Sequence, residues 1–476
     1  MRRNHTSSPL LDDPRRLVSL SSRVGLLSVV LLLGACATVT RPVAAARLAS
    51  NDAIGDGASP EGSSLTPSQK QQLWDLAGQA ILDMKSPGLV IGVQIGNGEP
   101  YVFGKGARTD RGGGMQGTER FRVGSITKNF VGMAILQQMQ EGRLSVDDTL
   151  ERWLPKVFSN IDGNRITLRQ LLNHTSGIES YTEAEFWISN VYLHPTHTWQ
   201  APGDLLALVE MLRAESIAGN TVIPPGSRFS YSNTNFILLG MIAAKVDGYG
   251  DYAWERVIQN RFFNRLGMSG SHIPGPHDVE LGPAEGNHGY VNFYNFLKDA
   301  QGGSSCPYLN PGCENEDMDF TQQDMSNAWS AGEIISTARD LVTWINAEVK
   351  GELLSPPYRE LQQSFMDTCP ASSPHCPTQC VQVGLGMFRQ TTYGFIGHRG
   401  EIFGFNGTIQ YLPQLDLTVV VLSNRTALDG YHVGLIPEAV AKTLFPGLVQ
   451  TGCFNQGTDL ARDNISHLPL PARYRR

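Results

Sequence analysis

FRVGSITKNF, residues Phe121 to Phe130, is the stretch on which the reading of the fold turns. Ser125 and Lys128 stand three residues apart in it, and an apolar-periodic run follows through Phe130, Met133, Ala134 and Leu136 toward Gly142. That spacing, closed by a glycine, predicts a helix. Ser125 falls at or just inside its N-terminus, and Lys128 lies one turn on along the same face. A serine hydroxyl attacks only with a base in hydrogen-bond reach. A lysine serves as that base only when burial keeps its amine partly neutral. The free N–H groups and positive potential of a helix start favour a developing oxyanion. Taken alone, Ser-x-x-Lys reads as a capping serine with a solvated lysine, so the rest of the chain decides.

The length of 476 residues allows one large domain or two, and 41% hydrophobic with 17% charged residues fits a globular protein with ample core. A net charge of −7 without a long basic block argues against nucleic acid as a partner. Residues 1–36 read as a signal peptide. Arg2, Arg3, Arg15, Arg16 and Arg23 form a basic leader, and Val24–Leu33 is an apolar core too short for a comfortable membrane span. Leu33-Gly34-Ala35-Cys36 resembles a bacterial lipobox, which makes Cys36 the expected lipidation site and anchors the protein to a membrane. A plain signal peptide is the alternative, and both readings export the chain, to the periplasm. Residues 37–65 read as a flexible linker, 66–447 as the folded domain and 448–476 as a C-terminal tail. Six further cysteines (Cys306, Cys313, Cys369, Cys376, Cys380 and Cys453) suggest disulfides in an exported chain, with fifteen full pairings open and Cys306–Cys313 the simplest loop. Cys369, Cys376 and Cys380 with His375 fit no standard zinc spacing, so no metal is expected.

Thr66-Pro67 opens a helix with its stripe on Leu73, Leu76, Ala77, Ala80, Ile81 and Met84. Leu89–Ile95 and Tyr101–Gly104 flank Asn97-Gly98, a hairpin signal. After the Ser125 helix, a short helix ends in Asn173-His174-Thr175-Ser176-Gly177, where His174 reads as a structural residue bonding the turn. Tyr231 and Asn233 lie on the loop before an apolar helix, Ile237–Val246. Another helix starts near Thr337. His398-Arg399-Gly400-Glu401 opens a strand-rich block in which Thr408–Leu412 and Leu417–Leu422 pair, and a helix over Ile436–Leu444 closes the domain. Helix-hairpin at one end and strands-helix at the other predict one antiparallel sheet shared by both ends, with a helical lobe between them.

Ser125-Ile126-Thr127-Lys128, Tyr231-Ser232-Asn233 and His398-Arg399-Gly400, in that order, resemble the serine β-lactamase and penicillin-binding superfamily, class C branch. That branch includes Streptomyces-type D-Ala-D-Ala carboxypeptidases and related esterases. The flanking LLNHTSG, YSNTNF, SAGEIIST, GLGM and GFNGTIQY agree, over roughly residues 67–447. The resemblance implies an α/β, β-lactamase/transpeptidase-like fold: an antiparallel sheet covered by helices on both faces, plus a mostly helical lobe. It implies that Ser125 forms an acyl-enzyme, and that Lys128 and Tyr231 share the proton work. Charged Lys128 and His398 would lower the Tyr231 phenol. Asn233 would hold the substrate and orient Lys128, and the backbone N–H groups of Ser125 and Glu401 would form the oxyanion hole. No cofactor is implied. The carboxypeptidase carries threonines around Gly400, where this chain has Arg399 and Glu401. Glu401 would repel a substrate carboxylate, and Arg399 or Arg389 would compensate. The substrate expected is a small molecule or peptide, cell-wall peptide included, cut at an amide or ester. A class C-like β-lactamase and a non-catalytic penicillin-binding sensor are the alternatives; the missing Lys-Thr-Gly argues against the first.

Overall fold

The computed structural model describes residues 65–279, 281, 286–291, 318–369, 381–426 and 433–448. The leader, the lipobox with Cys36, the linker before residue 65, the tail and the Cys306–Cys313 loop lie outside these residues. Cys369 is disulfide-bonded, and every other cysteine lies outside the described residues.

Helix α1, Pro67–Met84, starts on a capping box. Thr66 Oγ1 accepts from Gln69 N–H, and Gln69 Oε1 accepts from Thr66 N–H. The chain then forms β1 (Gly88–Ile95), β2 (Tyr101–Thr109) and β3 (Gly112–Gly114), followed by α2 (Thr127–Gln140). The lobe contains α3 (Glu185–Leu193), α4 (Gly203–Ala218) and α5 (Thr234–Val246). Beyond it come α6 (Ala338–Val349) and α7 (Pro356–Gln362), then β4 (Met366–Asp367), β5 (Val381–Val383) and β6 (Phe388–Gln390). The long strands β7 (Phe395–Ile402), β8 (Phe405–Leu412) and β9 (Leu417–Ser423) follow, and α8 (Ile436–Leu444) closes the domain. The nine strands make one sheet in the order β3-β2-β1-β9-β8-β7-β6-β5-β4. The last long strand therefore pairs with the first, Ile91 opposite Val421, which joins the early hairpin to the late strands as the sequence predicts.

Each face of the sheet has its own core. Residues paired across strands share a face. His398, Ile409 and Val420 lie in one row, and Ile409 and Val420 belong to the core that holds Phe130 and Trp344. Arg399, Thr408, Val421 and Ile91 form the next row, and Val421 and Ile91 belong to the opposite core, with Leu73 of α1 and Val440 of α8. The sheet is thus covered on both sides.

α2 is buried on nearly every side, from Thr127 to Met139. Phe130 stacks on Trp344 with ring centroids 3.7 Å apart. A helix buried all round must satisfy its own polar groups. Asn129 donates to Glu348 (2.7 Å) and to the Gly386 carbonyl (3.0 Å) and accepts from Trp344 Nε1. Burial lifts the Glu348 carboxyl to about 8.

Candidate active site

The segment before α2 is fixed from two sides. Phe121 and Arg122 pair with Ser336 and Ile335, Val123 N–H donates to the Ile334 carbonyl (3.0 Å), and Ile334 N–H donates to Thr127 Oγ1 (3.2 Å). On the other side β7 approaches backbone to backbone. A Cβ on Gly400 would sit 1.9 Å from the Val123 carbonyl oxygen and 3.0 Å from Ser125 N. Gly124, at φ 53°, faces the Glu401 backbone, where a Cβ would sit 2.7 Å from its carbonyl oxygen. Ser125 occupies a 3-10 turn, Gly124–Ile126, immediately ahead of α2.

Lys128 is wholly buried. Its Nζ lies 2.8 Å from Ser125 Oγ and donates to the Ala331 carbonyl at 2.7 Å. Burial pushes its pKa well below the ordinary lysine range, and no carboxylate among the described residues offsets it. The anchor expected for this amine was Asn233; the structure gives the part to Ala331. Asn233 Nδ2 instead donates to Thr182 Oγ1 (3.0 Å) and Ser180 Oγ (3.3 Å). Asn233 lines the same small cavity as Ser125, about 40 Å³ in volume, walled by Tyr181, Trp187 and Phe403.

Tyr231 OH donates to Ser125 Oγ at 3.0 Å. Burial raises its phenol above the ordinary value, and the bond to Ser125 only partly opposes this. His174 supports it, ring on ring at 4.2 Å. His174 Nδ1 accepts from Ser232 N–H at 3.2 Å, and its carbonyl accepts from Ser230 N–H at 2.8 Å. It thus bonds the Tyr231 loop, as the turn reading predicts.

Two expectations are corrected. His398 is not a charged partner for the phenol. It is buried, its Nδ1–H donates to the Arg399 carbonyl at 2.5 Å, and burial takes the imidazole down to about 3, so the ring is neutral at neutral pH. The phenol shifts up, not down, and burial is the cause. Arg399 does not lie on the Ser125 face. Strand alternation sends it to the α8 side, where burial lowers its guanidinium to about 10 against the pull of Glu401 and Glu438. Arg389 is also engaged elsewhere, bonding Gln382 and lying over the Phe365 ring. Glu401 lines the Ser125 cavity, so the two residues expected to supply oxyanion donors stand at one place. Ala331 escapes sequence reasoning because its contribution is a backbone carbonyl.

Residues 73–441 match the family model described as Beta-lactamase. The chain belongs to the beta-lactamase family. Several solved structures share the fold. A D-stereospecific amidohydrolase from Streptomyces sp. is 29% identical with a TM-score of 0.62, over 80% of this chain and 99% of that one. A D-amino acid amidase from Ochrobactrum anthropi SV3, solved with D-phenylalanine, is 21% identical with a TM-score of 0.62, over 79% of this chain and 98% of that one; this likeness speaks to fold. Protein flp of Staphylococcus aureus is 27% identical across 313 residues, 64% of this beta-lactamase-family chain. The chain spans 53% of that relative's length.

Proposed function

We propose that this serine hydrolase opens amide bonds next to a D-configured residue through an acyl-enzyme on Ser125. The observation that carries the reading is the placement of one hydroxyl between a buried amine at 2.8 Å and a phenol at 3.0 Å. The neutral Lys128 amine takes the Ser125 proton as Oγ attacks the carbonyl carbon. The protonated Tyr231 phenol gives its proton to the leaving nitrogen, and the Lys128 ammonium replaces it. Water then releases the acyl group by the reverse route. The Streptomyces amidohydrolase, similar along almost its whole length, supports amides over esters. The aromatic wall of Tyr181, Trp187 and Phe403 suits an apolar acyl side chain. The basic leader and lipobox-like Leu33–Cys36 support an exported, lipid-anchored form.

Purified protein is offered D- and L-phenylalanine p-nitroanilides, an acyl-D-Ala-D-Ala peptide and labelled penicillin. Turnover of the D-anilide, with slow or no release of the dipeptide's last residue, is the expected result. Rapid penicillin turnover would make the chain a β-lactamase. A permanent penicilloyl adduct with no turnover of any amide would make it a sensor, and either outcome overturns the proposal.

A further inference from the structure

At the end of α2 remote from Ser125, roughly 20 Å along the helix by its rise per residue, lies a groove of about 450 Å³. That is the size of a small-molecule site. Three guanidinium groups line it, those of Arg261, Arg265 and Arg359. Arg261 projects from a π-helical turn, Gln259–Phe263, and is already engaged. It lies 2.7 Å from Asp247 and 2.7 Å from Glu141. Arg265 and Arg359 differ. Among the described residues neither side chain has a hydrogen-bond or ion-pair partner, and Arg359 Nε is withdrawn from solvent with no acceptor. The Arg359 guanidinium lies against Gly351, where a Cβ would sit 2.9 Å from Cζ, so a side chain at that position would displace it.

Two acids face the same groove. Glu141 is held by Arg261 and Arg143, which leaves Glu352, exposed at the rim, against two uncommitted guanidiniums. In a chain of net charge −7 this is a local reversal of sign. A buried donor without an acceptor is costly, and its natural acceptor here is a ligand oxygen. Guanidinium forks match phosphate and carboxylate oxygens two at a time. We propose that this groove is a second ligand site, separate from the Ser125 cavity, and that it binds a small multivalent anion bearing phosphate or carboxylate groups.

The test uses the whole protein, inorganic pyrophosphate and citrate as probes, and chloride to hold ionic strength constant. Titration calorimetry and thermal melting are expected to show saturable binding and a rise in Tm that grows with probe concentration. Tighter binding of pyrophosphate assigns a phosphate ligand; tighter binding of citrate assigns a carboxylate ligand. The double variant Arg265→Gln/Arg359→Gln is expected to weaken binding at least tenfold and to leave probe-free hydrolysis unchanged. Arg359→Lys, which keeps the charge but loses the fork, is expected to fall between. Should the double variant fail to fold by circular dichroism, Arg265→Gln at an exposed residue carries the same comparison. Absence of saturable binding for both probes, or equal binding in the variants, overturns the proposal.

Discussion

Lys128→Met is expected to leave the chain folded, more heat-resistant and about 10²–10⁴-fold slower in kcat/KM, the usual cost of losing an acid–base group. The two effects share one cause. The Lys128 amine is wholly buried, and among the described residues no carboxylate offsets that burial. Folding strips it of its hydration and disfavours its charged form, a penalty of several kcal/mol. Methionine fills nearly the same volume without that penalty. What it loses are the contacts to Ala331 and Ser125, each worth about 1 kcal/mol net. The balance favours the variant by on the order of 1 kcal/mol, a trade of stability for activity of the kind common at active sites. Thermal melts and amide turnover measured on the same preparation check both halves. A variant destabilised by more than about 2 kcal/mol would show that the amine is a structural post.

Gly400→Ala is expected to damage fold and rate together. The new methyl would sit 1.9 Å from the Val123 carbonyl oxygen, 2.9 Å from Ile126 N and 3.0 Å from Ser125 N. All three are backbone atoms, so no rotamer change relieves them. Overpacking of this kind costs roughly 3 kcal/mol. It also pushes Ser125 away from Lys128 and Tyr231, and a displacement of about 1 Å at a reacting group costs about 10² in rate. Gly407 is the internal control. It pairs with Gly400 across β7 and β8, yet a Cβ there meets first the Leu422 and Ile126 side-chain methyls, at 2.9 and 3.3 Å. Gly407→Ala is therefore expected to cost less in denaturant midpoint and in kcat/KM. Equal losses in the two variants would mean that close backbone approach is not what Gly400 provides.

The local pattern makes the adjacency of Ser125 and Lys128 legible, because helical spacing alone brings them to one face. The shared sheet is legible in the hairpin at Asn97-Gly98 and the strand pair after Phe405. Arg399 shows where motif matching misleads. Its place beside Gly400 invites a substrate role, but period-2 alternation puts neighbours on opposite faces, and Gly400 must face Ser125. His398 shows the limit of charge counting, since a histidine near a lysine reads as a cation until its burial is known. The Ala331 carbonyl has no residue signature, so its hold on Lys128 is visible only in three dimensions. The groove at Arg359 likewise joins residues from three distant segments, and no spacing announces it.

The central claim is that Ser125 gives its proton to a neutral amine while the phenol beside it stays protonated. The most direct measurement is the pH dependence of single-turnover acylation by an activated p-nitrophenyl ester, in wild type and in Tyr231→Phe. The acylation rate is expected to rise with pH, because acid charges Lys128, and to do so through a midpoint well below the ordinary lysine value of about 10.4. Tyr231→Phe is expected to leave that midpoint in place and to slow this ester little, because p-nitrophenolate leaves without a proton, while lowering amide turnover by about 10². A midpoint at the ordinary lysine value, or one that disappears with the phenol, would contradict it.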